Sequence, residues 1–363
     1  MKMVIGLDVH SKQTTYVAQQ ADGTMVAEGQ VATSEAGLAE MLGRVGAPVE
    51  TRIGLESGTS AFVVCRWLLQ AGMRPVVIDA AEVRAKARRL GQKSDRRDAF
   101  EICDGLRRDQ YVSRVYVPDL AVQRLRMLLS RRRHFVRLST SQINAAKFLL
   151  RVEARPWPKK TLTTDRAWRE LLNTPGLADL RPCLELHYAA WCLARQHITY
   201  LETELEEALE PFRAEVNLLT TVPGVGQLVA ASFIAAVGDP QRFPDSGHLA
   251  SYLGLTPSTY DSGETEHHGS ITGRGPTLVR AMLCEAAQHA RRPSHPLQPY
   301  WRLLASRGGY RKAIVAVAHR LARILFQMWR HHEPFQVERL RVVYEPRTEH
   351  RTHYYRLPDA RHA

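Results

Sequence analysis

Residues 3–9, Met-Val-Ile-Gly-Leu-Asp-Val, form an apolar run of strand length that carries a single acid, Asp8, near its end. Such a run reads as a buried strand, so the Asp8 carboxylate must face something that accounts for it. The next segments, QTTYVAQQ and TMVAEGQV, alternate around Ala21-Asp22-Gly23, and an Asp-Gly pair between alternating runs is a hairpin signal. Thr33-Ser34-Glu35 caps a helix expected to run to about Val45. After it TRIGLES is a fourth strand, SAFVVCRWLLQAG a second helix and RPVVID a fifth strand. The first eighty or so residues therefore spell β-β-β-α-β-α-β.

That order is the one used by RNase H-like domains, in which a three-stranded meander is extended by parallel strands with helices on both faces. It predicts an α/β N-terminal domain with Asp8 on the central first strand and Glu56 at the end of the fourth, beside it. Further on, Lys93-Ser94-Asp95-Arg96-Arg97-Asp98 places Asp95 and Asp98 three apart, on one helix face. Asp8, Glu56, Asp95 and Asp98 could then surround one site. Carboxylates so close repel one another unless a cation compensates, and oxygen ligands suit Mg²⁺ or Mn²⁺. Two such ions about 4 Å apart can stabilise the attacking and leaving oxygens of an in-line phosphoryl transfer. Taken singly, a strand-end Asp is more often a cap, and an Arg-flanked D-x-x-D a surface ion pair; their joint occurrence in this strand order favours the site. His10 is read as packing against or lining it, whereas Asp79, Asp104 and Asp109 lack the convergence.

Charge points to the substrate. Lys and Arg outnumber Asp and Glu by 50 to 37, for a formal charge of +13 over 363 residues, and the excess is mostly Arg, which suits bidentate phosphate contacts. Two basic helical stretches follow the fifth strand. One, from about Ala80 to Asp109, carries Arg84, Lys86, Arg88, Arg89, Lys93, Arg96, Arg97, Arg107 and Arg108. The other, from about 119 to 150, carries Arg124, Arg126, Arg131, Arg132, Arg133 and Arg137 on a Leu-rich scaffold. Either alone reads as a solvated face; two in succession favour a phosphate-tracking surface. No apolar run reaches the ~18 residues of a membrane span and the N-terminus lacks a signal-sequence pattern, so a cytoplasmic, nucleoid-associated bacterial-type protein is expected. The five cysteines show neither paired spacing nor metal-ligand spacing and read as reduced thiols.

The remainder is expected to be mostly helical. Pro156, Pro158 and the polar stretch from Lys159 to Asp165 suggest an elbow, and residues 183–210 a long helix with acidic periodicity. The predicted divisions are an RNase H-like domain over 1–118, a coiled-coil-like helical region over 119–212, a mostly α domain over 213–332 and a basic tail over 333–363. Pro223-Gly224-Val225-Gly226 separates two apolar helical stretches, as in a helix-hairpin-helix whose Gly-rich turn presents backbone N–H groups to a phosphate; a plain helix corner would use Gly224 and Gly226 equally well. Beyond it, a polar Gly- and Ser-rich loop joins two helices, with Ser262 between Asp261 and Gly263 and with Arg274 as a further candidate for nucleic-acid contact. Chemistry alone does not separate Ser258, Ser262 and Ser270 as nucleophiles, or Ser262 from a turn residue.

The set I-G-L-D-V-H, L-E-S-G, K-S-D-R-R-D-A, T-V-P-G-V-G, A-S-Y-L-G-L-T-P and D-S-G resembles the transposases of the insertion-sequence one-ten family, kin of the Piv/MooV DNA invertases, over about residues 1 to 330. The resemblance implies a RuvC-like domain with Asp8, Glu56, Asp95 and Asp98 as a metal-binding D-E-D-D cluster, and a transposase domain with Ser262 as nucleophile. It implies a covalent protein–DNA intermediate, domains paired across protomers of a dimer or synaptic tetramer, and a structured noncoding guide RNA that pairs with donor and target DNA. The family's serine often lies in a Ser-Ser-Gly-Gly context, whereas here it lies in Asp261-Ser262-Gly263-Glu264. Three other readings stand beside this one. They are a structure-specific nuclease using metal-activated water, a non-catalytic nucleic-acid-binding protein, and an actin-like kinase, against which Val9 and His10 stand where a Gly-containing phosphate loop is expected.

Overall fold

In a computed structural model, residues 3–86, 94–155, 162–262 and 265–340 are described, with the backbone alone over 259–262 and 265–268. The chain forms two compact units, Met1–Pro118 and Asp119–Ala363.

The first unit is built on a five-stranded sheet of β1 (Met3–Val9), β2 (Gln13–Gln20), β3 (Met25–Ala32), β4 (Arg52–Glu56) and β5 (Arg74–Ile78), in the order β3-β2-β1-β4-β5. β1, β2 and β3 are an antiparallel meander, while β4 and β5 join parallel to β1. The turn after β2 closes because Gly23 takes φ +95° and Thr24 N–H donates to Asp22 Oδ1 at 2.8 Å. α1 (Glu35–Val45) starts on the Ser34 side chain, which accepts from Gly37 N–H, and ends on Gly46 in the left-handed region. α1 and α2 (Ala61–Gln70) bury Leu38, Met41, Val64, Cys65 and Leu68 against Ile5, Leu7, Ile53 and Leu55 on one sheet face.

After β5 come α3 (Ala80–Lys86) and α4 (Asp95–Arg107). The opposite sheet face, with Val4, Val17 and Ile78, packs on Ala99, Ile102, Cys103 and Leu106 of α4. This contact is close because two strand positions carry no side chain. A Cβ on Gly6 would lie 2.2 Å from the Ala99 carbonyl oxygen, and one on Gly54 would lie 2.9 Å from Ile102 Cγ2.

The second unit is mostly helical. α5 (Leu120–Val152), α6 (Asp165–Leu172) and α7 (Arg181–Ala208) come first, and α5 and α7 pack antiparallel, with Arg124 opposite Glu204 and Gln142 opposite His187. At one end Trp168 and Leu171 of α6 pack with Leu150, Leu184 and Trp191. The larger core surrounds α9 (Gln227–Val237), which follows α8 (Arg213–Leu219) and is buried at every position from Ala230 to Val237. Around it lie α10 (Ser246–Tyr252), α11 (Thr277–Ala287) and α12 (Gln298–His331), the last broken at Gly309, where φ is 78°.

The segment expected to be a polar loop is instead a hairpin of β6 (Pro257–Ser262) and β7 (Thr265–Ile271). Thr259 pairs with His268, Tyr260 with His267 and Ser262 with Thr265, so the β-branched and aromatic members of the segment outweigh its Gly and Ser content. Among the described residues no helix is long and apolar enough to cross a membrane. Of the basic residues singled out in the sequence, Arg88, Arg89 and Lys93 lie outside the described residues, as do Pro156, Pro158, Gly263 and the tail from 341 onward.

Candidate active site

Alternation along a strand decides which way Asp8 faces. Ile5 and Leu7 point to α1 and α2, so Gly6 and Asp8 point to α4. In the parallel ladder Gly6 pairs with Gly54 and Leu7 with Leu55, which sets Asp8 and Glu56 next to each other at the strand ends, on the α4 side. α4 begins at that end. Its N-cap, Ser94, accepts from Arg97 N–H at 3.3 Å, which leaves Asp95 and Asp98 in the first turn, where the helix dipole favours acids.

The three acids nearest the helix start interact. Burial pushes the Asp8 carboxyl above its ordinary range, the neighbouring His10 pulls it back, and the charges of Asp98 and then Asp95 push it up further. Asp8 and Asp95, together with His10, each offer a ligand atom within 4.8 Å of the others, the only group of three such residues that close among the described residues. Two carboxylates and an imidazole are a donor set that suits a divalent metal. Asp98 and Glu56 stand outside that group. The Glu56 carboxylate, at the C-terminal end of β4, has the Arg84 guanidinium 3.9 Å away. The sequence places His10 at the lining of the site, and the signal for a closer role is its position two residues after Asp8, just past the end of β1. Asp79 caps α3, Asp104 accepts from Arg107 and Arg108, and Asp109 pairs with Arg52, so each of these acids has a structural task.

In the second unit Ser262 ends β6, paired with Thr265. The feet of this hairpin are held by one side chain: Arg280 of α11 donates to the carbonyls of Leu253 at 2.8 Å, Arg274 at 2.9 Å and Gly273 at 2.8 Å. The backbones cross closely there, since a Cβ on Gly275 would lie 1.9 Å from the Tyr252 carbonyl oxygen. Gly224 takes φ +84° and presses on His289, while Gly226 is the N-cap of α9 and has open space before it.

The basic residues differ in what they do. Lys86 is engaged by Glu82 and the Gln110 carbonyl, Arg132 by Glu202 and Arg133 by the Thr277 hydroxyl. Arg131 and Arg274 are exposed.

Profile comparison places two matches on the chain, a DEDD transposase domain over residues 5–152 and the "Transposase IS116/IS110/IS902 family" over residues 216–302. The chain belongs to this transposase family. Asp8, Glu56, Asp95 and Asp98 fall within the first matched segment of the transposase and Ser262 within the second. The y4qE protein of Sinorhizobium fredii is 28% identical to it over 309 residues, covering 80% of this chain and 72% of that protein. The transposase for insertion sequence element IS1111A of Coxiella burnetii is 27% identical over 256 residues, covering 67% and 68%. The pilin gene-inverting protein of Moraxella bovis is 31% identical over 122 residues, covering 33% and 38%. Transposition and recombination are the family's activity, so the transposase is an enzyme that cuts and rejoins DNA, and DNA is its partner.

Proposed function

We propose that this transposase is a divalent-metal-dependent, RNA-guided recombinase that excises and inserts its own element through a covalent phosphoserine–DNA intermediate. The observation that carries the metal half is the approach of Asp95 and Asp98, on the first turn of α4, to Asp8. We take the first unit as an RNase H-like (RuvC-like) domain, which the meander, the two added parallel strands and the helices on both faces support. Asp8, Glu56, Asp95 and Asp98 are its metal-holding acids, with Mg²⁺ or Mn²⁺ as the ion. A bound ion would neutralise charge on the scissile phosphate and polarise it.

Ser262 is the proposed nucleophile. Its hydroxyl oxygen bonds to phosphorus, the bond from phosphorus to one strand oxygen breaks, and the serine proton is balanced by protonation of the leaving deoxyribose oxygen. Reversal by the hydroxyl of another strand restores a phosphodiester, so bond energy is conserved through the exchange. The hairpin clamped by Arg280 supports this role, because a nucleophile gains from a fixed platform.

Arg84, Lys86, Arg88, Arg89, Lys93, Arg131, Arg132, Arg133 and Arg274 are the proposed contacts to guide RNA and DNA, supported by the +13 charge. Gly224 and Gly226, between α8 and α9, are proposed as a helix-hairpin-helix turn, with the open start of α9 facing a phosphate. The divisions at 118, 212 and 332 are kept as the proposed domain limits, and the working form as a homo-oligomer acting on cytoplasmic, nucleoid DNA.

The test is to express the gene with its native flanks, lyse under denaturing conditions, and map DNA covalently attached to wild type, Ser262→Ala and Asp98→Asn. Adducts at element ends that vanish in Ser262→Ala, and that require the flank-encoded RNA, are expected. Cleaved ends without adduct would replace the serine mechanism by metal-activated water.

A further inference from the structure

One member of the group around Asp8 is not an acid. His10 follows directly after β1, and its Nε2 stands 3.2 Å from Asp8 Oδ2 and 3.5 Å from Asp95 Oδ1. The backbone beneath the ring is fixed on both sides. His10 N–H donates to the Gln13 carbonyl at 3.0 Å, and the His10 carbonyl accepts from the Thr33 hydroxyl at 2.8 Å. Thr33 is itself 2.8 Å from the hydroxyl of Thr14, which is fully buried in β2. A ring on a side chain that is 54% exposed is thus delivered by a rigid turn to a place between two carboxylates.

We propose that His10 is a nitrogen ligand to the divalent ion held by Asp8 and Asp95, and that it biases the site toward Mn²⁺ over Mg²⁺. This rests on the metal-site reading above and adds to it both a ligand and an ion preference. The neutral imidazole presents a lone pair at Nε2, the atom that faces both carboxylates, with the ring proton on Nδ1. Mg²⁺ binds through oxygen ligands and retains water, so a nitrogen donor adds little for it; Mn²⁺, a transition ion, gains from imidazole. A histidine that only donated a hydrogen bond to Asp8 would need its proton at Nε2 and would give no bond to the ion.

Untagged, metal-free full-length protein is titrated with Mn²⁺ and followed by electron paramagnetic resonance, with Mg²⁺ as competitor. The spin echo of bound Mn²⁺ reports directly coordinated nitrogen. Wild type is expected to show ¹⁴N coupling that disappears in His10→Gln, together with a fall in Mn²⁺ affinity of about tenfold or more. Mg²⁺ affinity should change far less. His10→Asp, which supplies oxygen at the same place, should bind Mn²⁺ without the nitrogen signal, and a wild-type melting curve for each variant shows that the fold is intact. Mn²⁺ that is lost in Asp8→Asn but shows no nitrogen coupling in wild type would overturn the His10 ligand role and leave the metal site standing. Absence of any Asp8-dependent binding would overturn the metal site, and the His10 role with it.

Discussion

Gly6 is where packing sets the spacing of the acids. A Cβ placed on it would meet the Ala99 carbonyl oxygen at 2.2 Å and the Cys103 nitrogen at 2.4 Å, and ordinary contact begins near 3.5 Å. Both partners are backbone atoms, so no side-chain rotation relieves the clash. Gly6→Ala must lift α4 from β1 by about 1 Å, and Asp98 precedes Ala99 directly in the chain. Overpacking of this kind costs about 1–3 kcal/mol, within what a domain of this size withstands. A displacement of about 1 Å at a catalytic group costs roughly a hundredfold in rate. The expected outcome is a folded variant with a lowered melting temperature and a loss of covalent DNA adduct far larger than its loss of stability. Gly43→Ala is the control: a Cβ there meets nothing within 4 Å, and Ala for Gly inside α1 should add about 0.5–1 kcal/mol with adduct formation unchanged. Adducts and melting temperature at wild-type level in Gly6→Ala would refute the reasoning, because α4 would then not be seated on β1 at this distance.

Three other perturbations probe the second unit. Arg280→Ala removes three bonds to carbonyls at the feet of the Ser262 hairpin, each of the charged type worth about 1.5–3 kcal/mol, and hydrogen exchange over β6 and β7 should accelerate; unchanged protection would mean that the hairpin holds itself. Burial, with Arg323 nearby, pushes the His319 imidazole down to about 4, so the unfolded chain takes up a proton near pH ~6.5 that the folded chain refuses. Stability from His319 is therefore complete above that pH and is lost as pH falls toward 4, by about 2 kcal/mol at pH ~5; the unfolding free energies of wild type and His319→Gln from urea titrations should converge by that amount on acidification, and parallel curves would contradict it. Arg126 donates to the carbonyls of Ala235 at 2.6 Å and Ala236 at 3.3 Å, so Arg126→Ala should lower the melting temperature and leave the salt dependence of RNA binding alone, whereas exposed Arg131→Ala should reduce that salt slope by about one; the reverse pattern would exchange their roles.

These arginines explain why the sheet was more legible in the sequence than the nucleic-acid surface. Strand and turn signals are local: MVIGLDV, Asp22-Gly23 and the Ser34 cap each act within a few residues, and they describe β1, the β2–β3 turn and the start of α1 as found. Whether an arginine is committed to a carbonyl depends on contacts such as Arg126 to Ala235, over a hundred residues apart, which no local pattern carries. The same holds for Gly6 and Gly54, which read as weak points of two strands and are where α4 comes close. The β6–β7 hairpin was missed for the opposite reason. Its Gly and Ser content is a loop signal, and Thr259, Tyr260 and Ile271 outweigh it only once the two strands pair.

Burial makes the ionised Asp8 carboxylate costly in the fold, and the charges of Asp98 and Asp95 add to that cost. Asp8 has a raised pKa in the fold, so it contributes most to stability when protonated, and that contribution is lost as pH rises through its folded pKa. At neutral pH the ionised site is therefore less stable than the same carboxyl in the unfolded chain would be. His10 offsets part of this beside Asp8, while the dipole at the start of α4 favours Asp95 and Asp98 in its first turn by about 0.3–1 kcal/mol each. Both are weaker than a divalent charge at the same place. A fold that sets Gly6 against α4 and begins that helix with Ser94-Asp95 brings Asp95 and Asp98 up to a partly buried Asp8, and the proposed cation would offset first the burial of that charge and then the repulsion from its neighbours.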